Sequence, residues 1–275
     1  MKHLLKIALA ATFAATAFNF AAMAQEKVQH PSENYKIGVA GYTFRKLPFE
    51  DALAFLKSID VKYMSIKDFQ LPLDASVLDM EAFKAKCAEY GVEPYILGPI
   101  YMRSVEDVDR AFDYASRFGA KMFMGVPNYE LLDYCIQKVK STGIKLAIHT
   151  HGPDNAAFPD VRKIVEMVGD PTIGIGCCID LGHSFRFGKN PAKDLVKYKD
   201  WIYDIHIKDE TAPSKQGKTW EMGRGKMDIP AIVKAIKKSG YKGVISIEFE
   251  KNPANPLIGV AESVGYLRGV MDCVK

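Results

Sequence analysis

Runs of basic residues, paired cysteines and long apolar stretches are all scarce in this 275-residue chain. Lys and Arg number 37 against 33 Asp and Glu, a formal net charge of +4 with no basic cluster. Such a chain has no electrostatic footprint for nucleic acid. The cysteines number 5, an odd count: Cys87, Cys135, Cys177, Cys178 and Cys273. No disulfide framework is expected in a chain of this size. Cys177 and Cys178 lie in an apolar run and read as small packed hydrophobes. Beyond the first 24 residues no apolar run is long enough to span a bilayer.

Those first residues, "MKHLLKIALAATFAATAFNFAAMA", are of another kind. Lys2 and Lys6 precede a long Ala/Phe/Leu stretch, and Ala22-Met23-Ala24 precedes Gln25. A charged start, an apolar middle and a small-residue cleavage site read as a signal peptide, residues 1–24. Removing it takes two lysines and no acid, so the charge falls from +4 to +2. The expectation is an exported, periplasmic protein with a polar leader over 25–34 and one domain over 35–275. No membrane contact is expected after cleavage, and no feature sets an oligomeric state.

The rest of the chain alternates. Apolar, β-rich runs fall at 36–44, 63–69, 94–102, 121–127, 145–151, 173–180, 201–209 and 243–250. Between them, segments 49–59, 79–91, 104–119, 129–143, 158–169, 191–200 and 228–240 carry apolar residues at helical spacing. Several end in Gly, the expected helix stop. Eight strand-like runs alternating with helices predict an α/β fold, a single closed (β/α)8 TIM barrel. Near-continuous apolar strands suit a sheet buried on both faces.

Catalytic groups of such barrels sit at the C-terminal ends of the strands. The fifth run ends in "AIHTHGP", with His149 and His151 two apart and therefore on one face. The sixth ends in "CIDLGHSF", with Asp180 and His183; the seventh is "YDIHIKDE", with His206, Lys208 and Asp209; the eighth is "ISIEFEKN", with Glu248 and Glu250. Four of the six histidines are here. Asp180 alone reads equally as a helix cap. Glu248 lies between Ile and Phe, where an unpaired carboxylate costs several kcal/mol, on the order of 2–7 or more, so it needs a partner. Four successive strand ends bearing imidazole and carboxylate point to a catalytic site for one divalent metal: zinc, manganese, iron or cobalt.

The pieces "AIHTHGP", "CIDLGHSF", "HIKD", "GRGKMDIPAIVKAI" and "GVISIEFE", in this order, resemble the xylose isomerase-like barrel superfamily. This is the sugar phosphate isomerase/epimerase group that also holds endonuclease IV-type enzymes, and the resemblance covers the whole chain after the signal. It implies a metal held by Asp180, His206 and Glu248, with His149 at the fifth-strand position where the sugar epimerases carry Glu. It also implies that His183 lies beside the metal and that Lys208 faces substrate. The His-x-His pattern is similar to the branch that dehydrates keto-inositols.

The resemblance implies proton abstraction next to the carbonyl of a keto-sugar, with isomerisation or epimerisation as the superfamily's usual outcome. Epimerisation uses paired carboxylates, and here Glu248 stands without the second. Elimination needs one base, a metal to stabilise charge on oxygen and an acid for the leaving group. Glu248, the metal, and Lys208 or a histidine such as His149 meet that need. This makes a dehydratase or lyase, acting on a keto-inositol or 3-keto-glycoside, the alternative. Phosphodiester hydrolysis and a silent sugar-binding barrel are the further readings. His151 reads as a ligand or a substrate contact, and Arg186 as a substrate contact or a solvated arginine. Trp220 and Arg224 lie in a long connection that covers the ligand in many barrels; Trp220 is a sugar-stacking or lid residue. Tyr42 and Tyr101 line the pocket or pack.

Overall fold

The computed structural model describes residues 29–155 and 157–275. The segment read as a signal peptide and the start of the leader lie outside the described residues. Barrel strands are β1 (Lys36–Val39), β2 (Tyr63–Ile66), β3 (Glu93–Met102), β4 (Met122–Pro127), β5 (Lys145–His149), β6 (Ile175–Asp180) and β7 (Ile202–Ile207). After β7 come a short antiparallel pair, β8 (Asp209–Glu210) and β9 (Thr219–Trp220), and then the last barrel strand, β10 (Val244–Ile247). The barrel closes in the order β1-β10-β7-β6-β5-β4-β3-β2, every pairing parallel.

Each strand is buried on both faces. Leu146, Ile148, Cys177, Ile179, Ile205, Ile207, Ile245 and Ile247 belong to the large core between sheet and helices. Residues of the other parity fill the barrel: Ile96, Met124, Ala147 and Cys178 form a small apolar layer. One step of two residues toward the C-terminal ends, the same faces carry polar side chains. Period two along a strand thus sets His149 above Ala147 and Asp180 above Cys178.

Apart from β3, the strands are shorter than the apolar runs. Val39 ends β1, and Gly41–Phe44 turn as a 3-10 helix; β5 stops at His149, and β7 at Ile207. The residues past each strand end turn over the rim, which frees their side chains from the ladder. Two helices carry no clear apolar period and were not expected. Leu181–Arg186 is only 6 residues and is capped by Asp180, whose side chain accepts from His183 N. Leu257–Cys273 holds Gly259, Gly265 and Gly269, which blur its stripe, and its N-cap Pro256 makes no side-chain cap bond. In the leader, Pro31–Asn34 form a 3-10 turn tied to that last helix, with Ser32 N donating to Asp272 Oδ1 at 2.8 Å. No helix among the described residues is long and apolar enough to cross a membrane.

Candidate metal centre

Parallel register places Asp180 beside His206 and His149 beside Cys178. The ladder continues from His206 to Ser246, so Glu248 stands two residues further on. One ligand atom each from His149, Asp180, His206 and Glu248 lies within 4.8 Å of the other three, and all four residues are buried. His149 Nε2 is 3.1 Å from His206 Nδ1 and 3.9 Å from Asp180 Oδ2. His206 Nδ1 is 3.5 Å from Glu248 Oε1.

Burial and crowding leave these groups in conflict. Burial raises Asp180 to about 8, helped by Glu248 and opposed by Lys208 and His206. Burial also works against charge on Glu248, but Lys208 and His206 prevail and hold it well below the usual carboxylate range. Burial, then His151 and His206, press His149 well down, so it is a neutral imidazole. His206 is raised, since Glu248, Asp204 and Asp180 outweigh its burial.

Asp180 does two jobs. Oδ1 accepts from His183 N at 2.8 Å, the cap read in the sequence. Oδ2 is buried with no hydrogen-bond partner of acceptable geometry, although Lys208 Nζ lies 3.0 Å away. A divalent cation among the four donors would satisfy that oxygen and offset the carboxylate repulsion. Ligands about 2.0–2.2 Å from zinc stand roughly 3–4 Å apart, a separation these side chains nearly have. The residues present therefore fit a metal. A second grouping, His149 with Cys178 and His206, also lies within ligand reach. There the Cys178 thiol already has a partner, donating to Asp204 Oδ2 at 3.4 Å, and burial holds its pKa up.

Asp180 is raised from 3.8 to about 8, so its contribution to metal-free stability is full below pH 3.8 and is lost as pH rises through about 8. Metal that takes the deprotonated carboxylate offsets that loss. Zinc is expected to raise the melting temperature progressively more from pH 5 to about 8, as thermal scans with and without metal would show. A metal shift independent of pH over that range would remove Asp180 from the ligand set.

Lys208 is 1% exposed. Its Nζ lies 2.7 Å from Glu248 Oε2, 2.5 Å from Glu250 Oε1 and 3.3 Å from His183 Nε2. These acids hold it charged against its burial. A Cβ on Gly182 would stand 2.4 Å from Lys208 Cγ, so the glycine of "DLGH" makes room for the lysine stem.

The other candidates divide. His151 directs Nε2 to the Tyr101 hydroxyl at 2.8 Å and Nδ1 to His149 O at 3.3 Å, outside the four-ligand group. His183 stacks on His151 at 6.1 Å between ring centres. Arg186 binds Asp154 Oδ2 at 2.5 Å and Lys215 O at 2.8 Å, with Nη1 close to Gly152. Trp220 is part-exposed under Lys251 Nζ, 3.5 Å from its ring centre, and Tyr42 lies under Arg45. Arg224 is not brought to the cluster: it is exposed and forks onto Glu262 of the last helix.

The sequence pattern did not single out two acids, Glu210 and Asp204, and it offered a third, Asp209, only as a rim acid. Glu210 is buried and raised to about 7 by that burial, with Thr219 Oγ1 donating to it at 3.2 Å. Asp204 is buried inside the barrel. Asp209 accepts from four backbone N–H groups: Glu210 (2.8 Å), Gly223 (2.9 Å), Gly225 (2.9 Å) and Met227 (3.0 Å). This explains the "GRGKMD" spacing. Gly223 has φ +88, and a Cβ on Gly225 would meet Asp209 Oδ1 at 2.1 Å. Asp209→Ala leaves four donors unpaired and is expected to cost roughly 3 kcal/mol or more, with faster hydrogen exchange over 219–228. Unchanged exchange there would show that the loop is held by other contacts.

The C-terminal rim of this closed parallel barrel thus gathers two imidazoles and two carboxylates that could hold a divalent ion. The chain belongs to the family described as xylose isomerase-like TIM barrel, which residues 53–270 match. It is similar to the inosose dehydratase of Lacticaseibacillus casei, 26% identical over 153 residues, 49% of this chain and 51% of that protein. The chain thus spans about half the length of the curated relatives it matches. Solved structures sharing the fold include the IolI protein with a zinc atom, at TM-score 0.69 and 17% identity over 87% of this chain and 99% of that one. Another is the apo 3-keto-D-glucoside 4-epimerase YcjR from E. coli, at TM-score 0.67 and 16% identity over 86% and 99%.

Proposed function

We propose that this protein is an exported, divalent-metal-dependent enzyme that removes a proton next to the carbonyl of a keto-cyclitol or keto-sugar and eliminates the β-oxygen substituent. The observation that carries the reading is the asymmetry of the rim. One carboxylate, Glu248, is held ionised, and the group facing it from β5 is the neutral imidazole of His149. The inosose dehydratases matched over part of the chain support the same class.

In this reading His149, Asp180, His206 and Glu248 hold the metal, which supplies positive charge against the oxygen of the substrate carbonyl. Glu248 takes the α-proton. The C–H electron pair forms the new C=C bond as the β-C–O bond breaks, and the departing oxygen takes its proton from the Lys208–His183 pair. The products are an enone and water, or an alcohol from a glycoside. Lys208 keeps Glu248 ionised and ready to accept. His151 and Tyr101, joined at 2.8 Å, form a polar wall above His149 that suits the substrate's hydroxyls.

The test uses the purified protein loaded in turn with manganese, cobalt and zinc, incubated with 2-keto-inositol or a 3-keto-glucoside in deuterated water and followed by NMR. Loss of the β-substituent with an enone signal is expected. Deuterium at the α-carbon with the substituent retained would make the enzyme an isomerase or epimerase. Neither change with any metal would end the proton-abstraction reading. Export is tested separately by sequencing the N-terminus of the periplasmic protein, which is expected to begin at Gln25.

A further inference from the structure

Directly beneath the four ligands lies a buried carboxylate that the proposed chemistry does not use. Asp204 precedes His206 by two residues on β7, so both side chains point into the barrel. Asp204 is 1% exposed, and the ladder sets it beside Cys178. Its two oxygens accept from the Tyr95 hydroxyl at 3.3 and 3.2 Å, and Oδ2 accepts from Cys178 Sγ at 3.4 Å. No lysine or arginine pairs with it among the described residues.

The imidazole above shows the complementary deficit. His206 turns Nδ1 to the ligand cluster, 3.1 Å from His149 Nε2. Its Nε2 is buried and lacks a hydrogen-bond partner. Asp204 Oδ2 lies 3.8 Å from that nitrogen, longer than a direct hydrogen bond, so a small turn of either side chain is needed to close the contact. An imidazole that offers Nδ1 to a metal carries its proton on Nε2, and a buried N–H without an acceptor costs about 1–3 kcal/mol.

The geometry points to Asp204 as the positioning residue of the metal centre: it accepts the Nε2 proton of His206, fixes that ring's tautomer and so presents Nδ1 as a ligand. This rests on the metal site of the proposed function but is independent of substrate and reaction. A carboxylate behind a ligating imidazole fixes ring orientation and raises its basicity. Tyr95 and Cys178 donate to Asp204 from other sides and so hold its carboxylate in place. The protein would then keep a charged group in its barrel core because the metal ligand above requires one.

Asp204→Asn tests this in the full chain. The amide keeps the shape, removes the charge and can offer an N–H to Nε2, which favours the tautomer with Nδ1 blocked. Zinc affinity by chelator competition is expected to fall roughly 10- to 100-fold. The visible absorption bands of the cobalt-loaded protein should shift, because one ligand has changed. Melting of the metal-free protein should hold, since a buried charge has been removed. In a His206→Ala background the Asp204→Asn effect on zinc should vanish; a merely structural role would persist there. Tyr95→Phe, which frees the Asp204 oxygens without removing them, should leave zinc affinity equal or higher, and it serves if Asp204→Asn does not fold. The assignment fails if Asp204→Asn changes zinc affinity by less than roughly two-fold with an unchanged cobalt spectrum, or if Tyr95→Phe weakens zinc ten-fold. Wild-type protein that binds none of zinc, cobalt and manganese would overturn the metal reading and this one together; a wild type that binds, with an indifferent Asp204→Asn, overturns only this one.

Discussion

Glu248→Gln is expected to lower kcat/KM for the keto substrate by at least about 10³-fold, because the proposed function makes this position both ligand and base. The carboxylate is 4% exposed and has both oxygens committed, Oε1 toward His206 at 3.5 Å and Oε2 on Lys208 at 2.7 Å. Glutamine fills the same volume but carries no charge for a cation and accepts no proton at neutral pH. Metal affinity should therefore fall together with turnover. Glu248→Asp keeps the charge at the wrong reach and should fall between the two. Steady-state rates combined with chelator competition separate the roles. A variant that holds metal normally and loses only turnover would make Glu248 a base alone. One that keeps activity within ten-fold of wild type would remove it from the chemistry altogether.

Lys208→Met is expected to destabilise the metal-free protein by roughly 3–5 kcal/mol, the cost of breaking a buried ion cluster from one side. The ammonium lies among Asp180, Glu248 and Glu250 at 3.0, 2.7 and 2.5 Å. Methionine follows the same path over Gly182 and keeps the packing, so the loss isolates the charge. The carboxylates then lose their nearest counter-cation and keep only His206 beside Glu248, and divalent metal should restore much of the lost stability. Urea unfolding with and without zinc measures both effects. If metal-free Lys208→Met is as stable as wild type, the acids are relieved by protonation instead of by the lysine. The same variant should lose turnover even when loaded, because Glu248 loses the charge that keeps it ionised.

The sequence by itself determined the barrel and most of its rim. Apolar runs such as "KLAIH" and "IGCCI" can be buried on both faces only in a parallel sheet, and alternation with helices made eight such strands close. Period two within a strand then carried His149, Asp180, His206 and Glu248 to one end of the barrel. These are local regularities, and they survive any detail of packing. The tertiary structure decided what depends on neighbours distant in the chain. Asp204 looked like one polar residue in a strand until closure set His206 over it and Tyr95 and Cys178 against it. Asp209 looked like a rim acid until the chain returned at Gly223 and Gly225 to place four N–H groups on its carboxylate. Arg224 pointed to substrate until the last helix, whose glycines mask its period, supplied Glu262. A side chain's position along its own strand follows from the backbone's period; the partner that decides its charge or its bond comes from strands and helices that only closure of the barrel makes adjacent.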